Sequence, residues 1–157
     1  MKKWMQCVFL FCAVLVGNLS AEQYVAGSKV VPFEANDQHG KAFKLDNGTR
    51  YLLVSADMKT GKKANKILND KGAGFLEKKK AVYVANIYGM PGIGRLFAFK
   101  KMKKYAHRIV YADTEKFMQP YPVEKSKVTV IKLNSSGVIV KISHWDPVTE
   151  DISEFLK

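Results

Sequence analysis

Two nearly uninterrupted apolar runs, Tyr51-Leu52-Leu53-Val54-Ser55-Ala56 and Ala81-Val82-Tyr83-Val84-Ala85-Asn86-Ile87-Tyr88, constrain this chain more than any other feature. Short apolar runs without alternation read as strands buried on both faces, and such strands need helices above and below them. Between the two, Thr60 to Asn69 places Ala64, Ile67 and Leu68 on one face among lysines, an amphipathic helix that Lys71-Gly72-Ala73-Gly74 ends. Thr60 is placed to N-cap that helix from Gly61 onward. A strand, a helix and a strand in this order predict parallel pairing with a right-handed crossover.

The remaining elements extend the same plan. Val30 to Ala35 and Lys41 to Leu45 flank the polar turn Asn36-Asp37-Gln38-His39-Gly40, a β-hairpin. After Gly89-Met90-Pro91-Gly92-Ile93-Gly94, a helix is expected over Arg95 to Ala106, with Leu96, Phe97, Phe99 and Met102 inward. Arg108 to Ala112 reads as a third central strand, and Thr114 to Ser126 as loop or short irregular helix. Lys127 to Leu133 and Val138 to Ile142 form a second hairpin around Asn134-Ser135-Ser136-Gly137. Asp146 as N-cap and Pro147 at the first position predict a last helix, with Ile152, Phe155 and Leu156 inward. The fold class is therefore α/β, a mixed central sheet flanked by helices with an N-terminal β-hairpin.

The start of the chain reads differently. Lys2 and Lys3 precede an apolar stretch from Trp4 to Val16, and Leu19 and Ala21 stand at −3 and −1 before Glu22. Those are the parts of a cleavable secretory signal, and the stretch is too short to span a bilayer. The expected organisation is a signal peptide over 1–21 and one domain over 22–157, in the periplasm or secreted. Both cysteines, Cys7 and Cys12, fall in the first segment. Phe9 and Phe11 do not suit lipidation at Cys12. Residues 22–157 contain no thiol, which excludes a disulfide framework or a cysteine nucleophile there.

The formal charge is +12, and removal of Lys2 and Lys3 leaves +10. Twenty-three of the 26 basic residues are lysine, whereas bidentate phosphate readers favour arginine, so no nucleic-acid partner is expected. An anionic envelope component or a membrane surface suits such a charge better. Gly89, Gly92, Gly94 and Arg95 lie between a strand and a helix, where backbone N–H groups can cradle an anion, and give an alternative reading as a nucleotide- or flavin-binding enzyme or carrier. His39, His107 and His144 have no second ligand at metal-binding spacing, and no metal or cofactor is expected. His144, beside Trp145, reads as a surface or capping residue.

The order hairpin, β, α, β, α, β, hairpin, α resembles the thioredoxin-like superfamily, particularly its peroxiredoxin-type branch with an N-terminal hairpin. Pro32-Phe33 through Leu45, Ile109-Val110-Tyr111-Ala112-Asp113 with Pro122-Val123, and Val128 through Ile142 carry the likeness. Thr60-Gly61-Lys62-Lys63-Ala64-Asn65 and Pro91-Gly92-Ile93-Gly94 are similar to the exported YtfJ-like proteins, a likeness that implies a fold and a compartment but no reaction. In thioredoxins a Cys-x-x-Cys opens the helix after the first buried strand. Matching Ile67-Leu68 to the family's aliphatic pair puts Met58-Lys59-Thr60-Gly61 there, and the family's cis-proline position falls near Ser126-Lys127. The resemblance thus implies a fold kept without its thiol chemistry. No catalytic residue is expected. Asp57, Met58, Lys59, Thr60, Gly61 and Lys62 form the expected ligand surface, contacting an envelope protein or an anionic envelope component.

Overall fold

A computed structural model describes residues 22–157. The expected signal segment, with Cys7 and Cys12, lies outside the described residues. Strands β3 (Tyr51–Ser55), β4 (Ala81–Asn86) and β5 (Ile109–Ala112) pair in parallel, and β6 (Val128–Leu133) and β7 (Ile139–Trp145) complete the sheet antiparallel. The order is β5-β4-β3-β6-β7, with β3, buried along its whole length, at the centre. Helix α1 (Met58–Asp70) and a single turn, α2 (Phe75–Lys78), connect β3 to β4; α3 (Gly92–Met102) connects β4 to β5; α4 (Glu115–Met118) follows β5. The N-terminal hairpin, β1 (Glu34–Asn36) with β2 (Ala42–Lys44), forms a separate two-stranded sheet. A mixed sheet with helices and an N-terminal hairpin is the architecture expected from the sequence.

Because successive strand residues face opposite sides, the buried strands serve two cores. Leu53, Tyr83 and Val130 pack on one face with Ala64 and Leu68 of α1, Leu76, Trp145, Ile152 and Leu156. Leu52, Val54, Val84 and Ile131 face the other way, against Tyr24, Val30, Phe43, Leu45 and Tyr121. Among the described residues, both cores draw on the chain from Tyr24 to Leu156.

Several local expectations need correction. Helix α1 starts at Met58, and its N-cap is Asp57; Thr60 lies inside the first turn. Asp57 wins because its two oxygens take the Thr60 N–H at 2.9 Å and the Thr60 hydroxyl at 2.7 Å together. The last helix does not form. Asp146 instead accepts from the Val148 N–H, the Asp146 N–H donates to the Glu150 carboxylate, and only a 3-10 turn, Ile152–Glu154, follows under an Asp151 cap. Ten residues are too few to repay helix nucleation unaided. Ile152 and Leu156 are buried as expected, with Phe155 packed against them.

On α3 the expected inward set is half wrong. Phe99 stacks on Tyr111 with centroids 4.7 Å apart, and Met102 packs on the core, but Leu96 and Phe97 are 72% and 73% exposed. Apolar residues occupy both sides of this helix, so periodicity could not choose between them. The polar turn of the first hairpin is not solvated throughout: Asp37 and Gln38 are buried. Gln38 donates its amide to His107 O and accepts from Ile109 N–H, each at 2.8 Å, and Asp37 bridges to Val110. The turn thereby covers the free edge of β5, which would otherwise invite pairing with another chain.

Candidate functional site

The carboxyl ends of β3 and β4 open into a groove whose other wall is α3. Its lining includes Met58, Gly61 and Asn65 of α1, Asn86 at the end of β4, Met90 beyond it, and Ala98, Met102 and Tyr105 on the α3 side. The free space held within the groove is about 40 Å³. The groove is a crevice between two helices, α1 and α3, that pack on the same face of the sheet, and ligand sites of α/β proteins commonly occupy such crevices near strand carboxyl ends.

The groove's floor is held by polar contacts. The Tyr83 hydroxyl donates to Ser55 Oγ at 2.8 Å beneath Gly61. A Cβ at Gly61 would lie 3.3 Å from Ser55 Oγ and 3.5 Å from the Tyr83 hydroxyl, so glycine lets α1 settle onto this pair. Burial pushes the Tyr83 pKa well up, which keeps the hydroxyl a neutral donor. Asn86 donates to Ala56 O at 2.9 Å and accepts from Tyr88 N–H at 3.0 Å, tying the loop after β3 to the loop after β4. Behind this, buried Asn65 bonds His107 Nε2 at 2.9 Å.

Of the expected surface, Asp57, Met58, Gly61 and Lys62 line the groove. Thr60 is buried beneath its own helix turn, and Lys59 lies on the exposed side. Burial alone would raise the Asp57 pKa, but hydrogen bonds from Thr60 and the Lys59 N–H outweigh it and hold the carboxyl below its ordinary value. The positive end of α1 is thus already answered by a carboxylate of the same chain. Asp57→Ala is expected to destabilise the protein by about 1 kcal/mol, and Asp57→Ser by much less, as measured by urea unfolding at pH 7. Because the folded pKa is depressed, the cap's contribution is complete above the unfolded value near 4 and fades as pH falls through the folded one.

The glycine loop is arranged differently. Gly89 takes φ +71°, a left-handed turn, and Gly92 begins α3. A Cβ at Gly92 or Gly94 would meet nothing within 4 Å, so the chain itself gives no steric reason for glycine there. The Arg95 guanidinium lies 5.2 Å over the Phe99 ring and lines a separate cavity with Glu34 and Asp113. An arginine stacked on a ring, in a cavity that two carboxylates also line, is a weak lure for phosphate. No cluster of three His, Cys, Asp or Glu suited to a metal occurs among the described residues.

The sequence reading missed the α3 wall, Asn86 and the buried Asn65–His107 pair. Met102, expected inward on the helix, and Met90, in the loop before it, were the signals that could have pointed to the wall. Near the family's cis-proline position, Ser126 takes a left-handed φ of 63° at the turn before β6.

No family model matches the chain, and no curated protein matches its sequence. Solved structures do match. A peroxiredoxin-like protein from Aquifex aeolicus aligns with TM-score 0.58 at 10% identity, over 87% of this chain and 86% of its own. The mitochondrial 2-Cys peroxiredoxin of Plasmodium falciparum aligns with TM-score 0.55 at 16% identity, over 84% and 90%. The thioredoxin domain of a thiol-disulfide oxidoreductase from Bacteroides vulgatus aligns with TM-score 0.52 at 16% identity, over 86% and 100%. At these identities the likeness establishes the fold, which is thioredoxin-like.

Proposed function

We propose that this protein is an exported, thioredoxin-fold binding protein that holds an apolar side chain of an envelope protein in the groove between α1 and α3, without thiol chemistry. One observation carries the reading. Where the resemblance places the two thiols, the chain has Met58 and Gly61, and both line the groove. Residues 22–157 contain no cysteine that could take over from them.

The lining favours an apolar guest. Met58, Met90 and Met102 are unbranched and polarizable, and such side chains adapt to guests of different shape. Lys62 and Lys101 at the margin would favour acidic residues flanking that guest. An anionic group placed directly at the start of α1 would instead meet the Asp57 carboxylate.

A photo-crosslinking amino acid at Met58, with a control at Lys141 on β7, tests the proposal in the envelope fraction. Capture of a discrete partner from position 58, its loss in Ala98→Trp, and no capture from 141 are the expected results. Equal capture from both positions would remove the groove from the account. Insulin-reduction and peroxidase assays on residues 22–157 should show no turnover; cysteine-independent turnover would refute the binding role. The competing nucleotide or flavin reading predicts thermal stabilisation by nucleotides that disappears in Gly92→Val.

A further inference from the structure

We infer that α3 rests its outer face on an anionic lipid bilayer surface, a contact separate from the groove on the helix's inner side. Ile93, Leu96 and Phe97 are 75%, 72% and 73% exposed, and their spacing places them on one side of the helix. Scattered single apolar residues on a surface are ordinary, but three large ones within one turn mark an interaction face.

The surrounding charge says what that face meets. Along α3 and the turn after it, residues 92–106, there are five Lys and Arg and no Asp or Glu. Lys100, Lys103 and Lys104, at the end of α3 and just beyond it, are all exposed. A second copy of this chain would bring the same unbalanced positive charge against itself. A protein partner would need a pocket to receive three projecting side chains, whereas a bilayer interface accepts apolar projections without preformed shape. Leu, Ile and Phe can enter the acyl boundary while neighbouring lysines extend their stems toward anionic headgroups.

Cosedimentation with vesicles tests this, using both the full chain and residues 22–157, against phosphatidylcholine alone and against phosphatidylcholine mixed with phosphatidylglycerol. Both forms should bind the mixed vesicles, with affinity falling steeply as salt rises. Lys100, Lys103 and Lys104 together replaced by Gln should weaken binding about a hundredfold, since each lysine near such a surface contributes about 1 kcal/mol. Leu96→Ser with Phe97→Ser should weaken it at least about tenfold in both forms. These exposed changes should leave the circular dichroism spectrum and the Met58 crosslink unaltered, which separates this contact from the groove. Equal binding to neutral vesicles, or wild-type binding by the Leu96→Ser/Phe97→Ser variant, would overturn the inference. So would saturable binding of an acidic amphipathic peptide to this face with no vesicle binding, which would assign the face to a protein.

Discussion

Trp145→Ala is expected to destabilise the protein by about 3–5 kcal/mol, a large part of what a domain of this size possesses. Trp145 is completely buried at the end of β7, opposite Val128 of β6. It shares a core with Ala64 and Leu68 of α1 and with Ile152 and Leu156 of the C-terminal segment. Its indole N–H donates to Glu150 O at 3.0 Å, so one side chain both fills the core and pins the turn that replaces the expected helix. Removing it leaves a void lined by groups from the sheet, from α1 and from that segment. Trp145→Phe keeps most of the packing and loses the donor, and should cost about 1–2 kcal/mol. Val148→Ala, at an exposed position between Trp145 and Ile152, should change stability by less than about 0.5 kcal/mol. Urea unfolding followed by far-ultraviolet circular dichroism measures all three. A loss under about 1 kcal/mol for Trp145→Ala would mean that the C-terminal segment is held by something else.

What could be read from the residues and what could not divide along physical lines. Tyr51–Ser55 and Ala81–Asn86 were legible because a strand buried on both faces leaves an unbroken apolar run, and order along the chain then fixed the parallel pairing. Local chemistry misled where two nearby groups compete. Asp57 and Thr60 both suit a cap, and only coordinates show the threonine hydroxyl donating to the aspartate. Nothing local marks Asp37 and Gln38 as buried, because they bond across to β5 and the residues before it, about 70 positions later. The groove was half legible. The α1 side followed from the family resemblance, but the α3 wall required knowing which side of an ambiguous helix faces in. Met102 and Leu96 are equally apolar, and only packing tells the groove wall from the exposed stripe.

The buried His107 is expected to make stability depend on pH well above the range where carboxylates act. The ring has 1% of its surface exposed and stands between Tyr83 and Tyr105, with centroids 6.0 and 5.7 Å away. Burial depresses its pKa from 6.5 to about 4, so at neutral pH it is uncharged. Nε2 then carries the proton toward Asn65 Oδ1, and the buried Nδ1 has no hydrogen-bond partner. In the unfolded chain an unconstrained histidine binds a proton near pH 6.5, which the folded ring refuses until about pH 4. The unfolded state therefore holds more protons throughout that window, and stability must fall as pH falls through it. At 1.36 kcal/mol per pKa unit the loss is about 2 kcal/mol by pH 5 and about 3 kcal/mol by pH 4. His107→Gln keeps an N–H donor for Asn65 and removes the titration. Its unfolding free energy, measured in urea at pH 7, 6 and 5, should stay flat where the wild type declines, with the acid limb from carboxylates such as Asp57 retained below. Parallel curves for the two proteins between pH 7 and 5 would show that His107 is solvated in the folded state and that its burial among Tyr83, Tyr105 and Asn65 is not maintained.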